Sequence, residues 1–194
     1  MRLDPRPALA ALLVAALNAP GAWALSAALG PGSVVWLEGD STLHPFASTS
    51  TATGFAFSSE AADPAAMLAG QAPIQMKVTV PVAGLRSEHA GLDKNLQKAM
   101  KAAEYSDVTF TLSGYKAAKD SVTATGELSI AGVKKTVDLA AALKLDGGKL
   151  VVDGEKPLLM SEYGIKPPTM MMGAIKVKDR VVVRYHLELV QEKK

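Results

Sequence analysis

Apolar and polar residues alternate with a period of two along most of the chain from about residue 33 onward. This alternation is typical of β-strands that bury one face and expose the other. The clearest strands are predicted over residues 74–82, 108–113, 122–130, 137–145 and 175–189. Shorter or less regular strands are predicted over residues 34–38, 49–57, 150–152 and 158–165. About eight short strands joined by turns favour an antiparallel sandwich or barrel.

Two other features lie between the strands. Asp146-Gly147-Gly148 predicts a hairpin turn, because glycine supplies the positive φ that tight hairpins need. Over residues 92–103 the apolar positions recur every three or four residues, which predicts one amphipathic helix. The apolar side of this helix carries Leu92, Leu96, Ala99, Met100 and Ala103, and Leu92, Leu96 and Met100 are expected to face the end of the barrel. The opposite side, expected to face solvent, carries Lys94, Lys98 and Lys101.

The first 24 residues have the pattern of a secretory signal peptide. Arg2 and Arg6 precede an apolar run over residues 8–17, and Ala22-Trp23-Ala24 follows as a signal-peptidase pattern. The apolar run is about half the length that a membrane-spanning helix needs. We therefore expect cleavage after Ala24, a mature domain over residues 25–194, and a periplasmic or secreted location.

Composition and charge exclude several classes of function. The 194 residues include no cysteine, so disulfides, thiolate metal sites and cysteine nucleophiles are all excluded. The chain carries 21 basic and 19 acidic residues, a formal charge of +2. A chain this close to neutral lacks the field that draws proteins onto nucleic acid, so no nucleic-acid partner is expected. No motif for a cofactor is present, and the oligomeric state stays open.

Gly39-Asp40-Ser41 is similar to the opening block of GDS-type esterases, in which the serine is a nucleophile. Such an enzyme also needs a histidine with a carboxylate three residues before it, and the residue at that distance before His186 is Val183. Those esterases are α/β proteins, whereas this chain has the pattern of an all-β protein. A small secreted hydrolase is therefore the least favoured hypothesis, and a turn around the Gly-Asp pair explains the residues.

Histidine and methionine leave a second alternative open. His44, His89 and His186 lie far apart, and none has a second ligand at metal spacing. Met170, Met171 and Met172 follow Lys166-Pro167-Pro168 and are expected in a loop. Their thioethers suit three roles, namely filling gaps in a core, contacting an irregular apolar ligand as a lid, or binding Cu(I). A copper-binding or stress-response protein is thus the main alternative hypothesis.

Four segments of the chain carry a resemblance to a known family. They are Gly39-Asp40-Ser41-Thr42-Leu43-His44, the helix beginning Leu92-Asp93-Lys94-Asn95-Leu96 and leading to Tyr105-Ser106-Asp107-Val108-Thr109-Phe110, Gly126-Glu127-Leu128-Ser129-Ile130-Ala131-Gly132-Val133-Lys134-Lys135, and Glu162-Tyr163-Gly164-Ile165. Together they resemble the YceI-like family, whose secreted members are lipocalin-like barrels that bind polyisoprenoid lipids. The resemblance implies an antiparallel eight-stranded barrel that carries a lipid and has no catalytic activity. The family often has Asp and Phe where this chain has Glu162 and Tyr163.

The residues expected to point into the barrel favour a slender apolar ligand. An eight-stranded barrel is just wide enough either to fill with side chains or to hold one small ligand. The inward positions Gly114, Ala124, Gly126 and Ala141 are too small to fill that space. With only 5% aromatic residues, the expected ligand is a flexible aliphatic chain, and the resemblance implies an isoprenoid or quinone-like lipid. The lysine side of the helix suits transient contact with a membrane surface. The predicted ligand-binding residues are Phe55, Phe57, Met76, Val78, Leu96, Met100, Phe110, Leu112, Leu128, Leu139, Tyr163, Met170, Met171 and Met172.

Overall fold

The computed structural model describes residues 25–59, 74–118 and 120–191, and the predicted leader over residues 1–24 lies outside these ranges. Within them the chain forms eleven β-strands and one α-helix. The strands are β1 (Leu25–Leu29), β2 (Val34–Ser41), β3 (Phe46–Ser50), β4 (Gly54–Ser59), β5 (Ile74–Pro81), β6 (Asp107–Ala118), β7 (Ser121–Ile130), β8 (Val133–Asp146), β9 (Lys149–Leu159), β10 (Thr169–Met170) and β11 (Ile175–Gln191), and the helix is α1 (Ala90–Ala99). Short 3-10 turns occupy Val82–Gly84, Met160–Tyr163 and Met171–Gly173.

The strands form one antiparallel sheet that closes on itself. Strands β4 to β9 pair in sequence order, and β9 then pairs with β11. One edge of β11 pairs with β2 along its first part and with β1 near its end. Strands β1 and β2 therefore lie end to end along β11 and share one position in the sheet. Since β3 pairs with β2 and β4 pairs with β1, β3 and β4 share the next position. The result is the predicted closed barrel of eight positions, in which closure removes free sheet edges.

The structure corrects the strand boundaries in two places. The strand predicted over residues 49–57 is divided at residues 51–53, because β3 and β4 pair with different partners. The segment predicted as a strand over residues 158–165 leaves the sheet at Leu159 and continues as a 3-10 turn. Gly164 ends that turn with φ 66°, in the left-handed region that glycine adopts most easily. Strand β1, which lacks a clear alternation, was not expected.

The helix lies at the predicted place but ends earlier. It spans Ala90–Ala99 rather than residues 92–103, and the chain turns away at Lys101, where φ is 53°. Leu92, Leu96 and Met100 face the barrel, whereas the lysines at 94, 98 and 101 are exposed as predicted. None of the helices in the described ranges is long and apolar enough to span a membrane.

The two ends of the barrel differ. The hairpins β6–β7 and β8–β9 lie at one end, which we call the hairpin end. Gly147 and Gly148 form the β8–β9 turn with φ of 57° and 83°, as the sequence predicts. At the opposite end, the helix end, α1 connects β5 to β6 and covers the barrel. Leu145 was expected inside but is 67% exposed, because it lies beside the hairpin turn at the rim.

Candidate functional site in the barrel lumen

The barrel encloses a main cavity of about 220 Å³ in its hairpin-end part. Inward-facing side chains from β4 to β9 and from β11 supply most of its lining, because alternate residues of a strand point to the same face. The lining is apolar almost throughout. It comprises Val35, Phe55, Phe57, Ile74, Met76, Val78, Val80, Val108, Phe110, Leu112, Tyr115, Ala117, Val122, Ala124, Leu128, Ile130, Leu139, Ala141, Leu143, Leu150, Val152, Lys156, Leu158, Val183, Tyr185, Leu187 and Leu189.

A second cavity of about 140 Å³ lies under α1, and we call it the helix-end cavity. Leu92, Leu96 and Met100 of the helix segment form its cover, and Tyr163 and Ile165 contribute from the chain after β9. Six residues line both cavities and form a waist between them. They are Val35, Val80, Val108, Ile130, Leu158 and Val183. The two cavities therefore adjoin across this waist, and we refer to them together as the lumen.

The structure brings most of the predicted ligand-binding residues to this lumen. Eight of them line the main cavity: Phe55, Phe57, Met76, Val78, Phe110, Leu112, Leu128 and Leu139. Leu96, Met100 and Tyr163 line the helix-end cavity instead. The side chains of Met170 and Met171 lie outside the described part of the structure. Met172 is fully exposed in a turn with φ 55°, so it does not line the lumen.

Small inward residues contribute to the lumen unequally. Ala124 and Ala141 line the main cavity, as expected from their size. Gly126 does not open space, because the ring of Phe110 and the carbonyl oxygen of Thr111 occupy the position that a β-carbon there would take. Gly114 lies at an irregularity in the β6–β7 pairing, and nothing lies within 4 Å of its ideal β-carbon. The expectation that all four small residues create cavity volume is thus wrong for Gly126, and Gly114 lines neither cavity, because the irregularity turns Tyr115 inward instead.

Phe55 and Phe57 stack on the inner face of β4. Their ring centroids are 6.0 Å apart, with an interplanar angle of 6°. Their register partners Val78 and Met76 on β5 line the same cavity. This group presents a flat apolar surface without a polar atom, which suits contact with an aliphatic chain.

Tyr185 marks the point where the β8–β9 ladder stops. Its hydroxyl donates a hydrogen bond of 3.1 Å to the carbonyl oxygen of Ala140, the residue just beyond the last paired position of β8. The phenol ring crosses over Gly154, where a β-carbon would overlap it. Burial raises the pKa of Tyr185 to about 12. The hydroxyl therefore keeps its proton, and its hydrogen bond, through the physiological range.

Because the pKa of Tyr185 is raised, the free energy of unfolding depends on pH in the alkaline range. An unfolded tyrosine ionises near pH 10, so the folded state holds this proton more tightly, and the contribution is complete below pH 10. It is lost as the pH rises from 10 to 12, by about 2 kcal/mol at most. At neutral pH we expect Tyr185→Phe to lower the free energy of unfolding by about 1 kcal/mol, because the hydrogen bond is missing. Between pH 10 and 12 the free energy of unfolding of the variant should fall less than that of the wild type. Urea denaturation of both proteins at neutral pH and across pH 10 to 12 measures the two effects; an equal fall with pH in both proteins would contradict the assignment.

The ring of Tyr163 lines the helix-end cavity, and its hydroxyl is buried. The residue is 2% exposed, and its hydroxyl has no hydrogen-bond partner among the described residues. Burial, and after it the charge of Glu162, raises the pKa of this hydroxyl. The Lys135 ammonium lies 5.7 Å from the centre of the ring and 3.5 Å from the Glu162 carboxylate, so both contacts fix the ring from outside.

A buried carboxylate anchors the start of the helical cover. Asp93 accepts hydrogen bonds from the backbone N–H of Ser87, at 2.8 Å, and from its hydroxyl, at 2.7 Å. These hydrogen bonds, together with Arg86 at 3.8 Å, hold the pKa of Asp93 below its usual range. Asp93 therefore ties α1 to the loop that precedes it and keeps the cover in place.

The residues of the two alternative hypotheses are dispersed on the outside. The Ser41 hydroxyl donates to the carbonyl oxygen of His44 at 2.8 Å and accepts from two backbone N–H groups, which is turn chemistry. His44 Nδ1 lies 2.9 Å from the carbonyl oxygen of Pro45, and His186 Nδ1 lies 2.6 Å from Asp153. Within the described ranges no three His, Asp or Glu side chains are grouped so that they could hold a metal ion.

Three residues that line the main cavity lie outside the predicted strands, namely Tyr115, Ala117 and Lys156. Tyr115 and Ala117 follow the end of the strand predicted over residues 108–113, which in the structure continues to Ala118. Lys156 lies on β9, in phase with Leu150, Val152 and Leu158, and falls between the strands predicted over residues 150–152 and 158–165. Continuing the alternation from Leu150 to Leu158 would have identified one lysine among the apolar positions.

Fold and lumen together define the class: a small closed antiparallel barrel with an apolar interior and a helical cover at one end, which is a lipocalin-like architecture. The model of the YceI-like domain matches residues 38–189. That range is most of the chain, and the protein therefore belongs to the YceI-like family.

Individual relatives agree with the family. Protein YceI of Escherichia coli O157:H7 is 32% identical over 107 residues, 54% of this chain and 50% of that protein, so the match spans half of the relative. Among solved structures, Burkholderia cenocepacia BcnA has a TM-score of 0.67 at 21% identity, covering 80% of this chain and 95% of BcnA. A polyisoprenoid binding domain from Saccharophagus degradans has a TM-score of 0.61 at 14% identity, covering 87% and 99%. At these identities the two structures support the fold alone.

Proposed function

We propose that this protein is a carrier without catalytic activity, which holds one long apolar lipid of isoprenoid or quinone-like type inside the barrel. The observation that carries the proposal is the lumen, whose two adjoining cavities are lined almost entirely by aliphatic and aromatic side chains. Burying a lipid chain there contributes roughly 0.8 kcal/mol for each methylene group. Membership of the YceI-like family and the fold shared with a polyisoprenoid binding domain support the same role.

The direct test is native mass spectrometry of protein purified without detergent from the cells that produce it. We expect an adduct whose mass fits a long-chain lipid and which organic solvent removes. Extraction and tandem mass spectrometry then identify the lipid. Protein that carries no adduct, and that fails to take up an isoprenoid alcohol added afterwards, would contradict the proposal.

We further propose that the exposed side of α1 contacts anionic membranes when the lipid is exchanged. Lys94, Lys98 and Lys101 are exposed there, on the element that covers the helix-end cavity. Lysines near an anionic surface are attracted to it within a Debye length.

Reversing these three lysines to glutamate tests the contact. We expect the free energy of unfolding to change by less than about 0.5 kcal/mol, because the sites are exposed. Transfer of a fluorescent lipid to anionic vesicles should slow, and the difference should be largest at low salt, where charges are least screened. The matched control reverses Lys77, Lys116 and Lys144, which are exposed on the barrel wall. Equal transfer rates for the two triple variants would contradict a role for the helix.

We also propose export to the periplasm or the medium, on the pattern of residues 1–24. N-terminal sequencing of the exported protein should begin at Leu25. Cell fractionation with the full chain in the cytoplasm would contradict this proposal.

A further inference from the structure

We propose that Leu43 and Met172 insert into the interface of a membrane that carries anionic lipids. They lie in the β2–β3 turn (residues 42–45) and the β10–β11 turn (residues 171–174), and we call these two turns the tips. The inference rests on the proposed contact of α1 with such membranes and deepens it, because it adds apolar anchors at the same end of the barrel. Anchors of this kind bind by burying apolar surface, whereas the lysines of α1 bind by charge.

The exposed apolar side chains of the described ranges are concentrated at the helix end. The large hydrophobic residues with strong exposure there are Leu43, Leu145, Leu159 and Met172. Since β2 and β9 end where β11 begins, the two tips and Leu159 lie at the helix end. Of the four, only Leu145 lies at the hairpin end, where Asp146 follows it. Single exposed hydrophobic residues are ordinary, but several at one end of a protein indicate a contact surface.

Hydrogen bonds hold the two tips side by side. The Thr42 N–H donates a hydrogen bond of 3.0 Å to the carbonyl oxygen of Lys176, and the Lys176 N–H donates one of 3.1 Å to the Thr42 hydroxyl oxygen. The Thr42 hydroxyl itself donates to the carbonyl oxygen of Ala174 at 3.3 Å. Leu43 follows Thr42 directly, and Met172 lies two residues before Ala174. The two apolar side chains therefore belong to turns whose relative position is fixed.

Position 172 combines an unfavourable backbone conformation with a side chain that the described fold does not bury. Met172 has φ 55°, in the left-handed region, where glycine and asparagine are favoured over residues with a larger side chain. The side chain is fully exposed, so packing within the described ranges does not offset this cost. Burial in an apolar phase outside the protein supplies the missing contact.

The charges around the tips complement an anionic surface. Residues 39–45 and 166–180 contain four basic and two acidic residues, and one of the two acids, Asp40, is already paired with a lysine. Lys166 and Lys176 are exposed and form no ion pair with any residue of the described ranges. Apolar side chains bordered by lysines are typical of segments that lie in the interface of anionic membranes.

The tips also border the helix-end cavity. Phe46, Pro168 and Val177 lie in the chain next to the two turns, and all three line this cavity together with residues of α1. Insertion of the tips therefore brings the helix end of the barrel, with its cavity, against the membrane. This is the orientation that the proposed exchange of lipid requires.

The chain contains no cysteine, so a single introduced cysteine carries a label at one known position. Leu43→Cys, Met172→Cys and Leu145→Cys are each labelled with the fluorophore NBD and mixed with vesicles of phosphatidylethanolamine and phosphatidylglycerol. We expect the emission at positions 43 and 172 to rise and to shift to shorter wavelength, because the label enters an apolar phase. Position 145 is the matched control, since Leu145 is 67% exposed and Leu43 64%, and its emission should stay unchanged. A tip label without a shift, or an equal shift at position 145, would overturn the inference.

Removing the apolar side chains tests their share of the binding. The double variant Leu43→Ser with Met172→Asn should bind the same vesicles roughly tenfold more weakly in a flotation assay. Asparagine is chosen at position 172 because it tolerates the left-handed conformation. The loss should be similar at low and high salt, because burial of apolar surface is not screened. Leu145→Ser is the control and should bind as the wild type does. A loss that is confined to low salt would assign the binding to charge alone and overturn the inference.

Further outcomes separate the anchors from the functions on which they rest. Uptake of geranylgeraniol without vesicles should be equal in the wild type and the double variant, because the tips lie outside the lumen; reduced uptake would overturn the inference. Unchanged vesicle binding by the double variant, with a loss on reversal of the α1 lysines, would overturn the anchors and leave the contact of α1 in place. A wild type that binds no vesicles would overturn both. Vesicle binding without uptake of geranylgeraniol would overturn the carrier function alone.

Discussion

Replacing Ala124 with phenylalanine should abolish lipid uptake while leaving the barrel folded. Ala124 is half-buried and lines the main cavity from β7, so the added ring enters space that the lipid chain would occupy. A phenyl ring displaces roughly four methylene groups, which corresponds to about 3 kcal/mol and a loss of affinity of about 100-fold. Isothermal titration with a fluorescent isoprenoid, alongside thermal denaturation, measures both quantities.

Ala142→Phe is the control for this substitution. Ala142 lies on β8, adjacent to the inward-facing Ala141, and is itself exposed on the outer face of the barrel. The same side chain placed there should leave lipid affinity unchanged. Unaltered binding by Ala124→Phe would show that the lipid lies elsewhere. Unfolding of both Ala124→Phe and the smaller Ala124→Leu would show that the interior is packed rather than open.

Replacing Gly154 with alanine should destabilise the barrel by about 2 to 4 kcal/mol. A β-carbon at this position would overlap the ring and hydroxyl of Tyr185 and lie 2.7 Å from the carbonyl oxygen of Ala140. The ring cannot move away without breaking its hydrogen bond to Ala140. Chemical denaturation of the variant measures the loss. Gly114→Ala is the control, because a β-carbon there meets nothing within 4 Å, and it should change stability by less than about 0.5 kcal/mol.

A double-mutant cycle tests whether the contact with Tyr185 is the reason why Gly154→Ala destabilises the barrel. Tyr185→Leu removes the ring that the new methyl group would meet, so Gly154→Ala should cost much less in that background than in the wild type. A coupling of about 1 kcal/mol or more in the double-mutant cycle would assign the loss to this contact. Strictly additive effects would show that Gly154 is required for a different reason.

Within the regular strands, the sequence alone determined which side chains face the lumen. Along β11 the alternating residues Val183, Tyr185 and Leu187 line the main cavity as predicted. On the outer face Arg184 forms an ion pair with Glu38, and the ring of His186 contacts Asp153. The helix at the barrel end was also predictable, with its lysines exposed. Both features depend on local periodicity, because neighbouring residues of a strand or helix fix the direction of a side chain.

Tertiary structure decided which inward positions leave open space. Gly126 is filled by the ring of Phe110 on the neighbouring strand, and the ring of Tyr185 covers Gly154. These contacts depend on the register between strands that closure of the barrel imposes, and no local pattern encodes a register across distant strands. The same closure ends the β8–β9 ladder at Ala141 and Gly154.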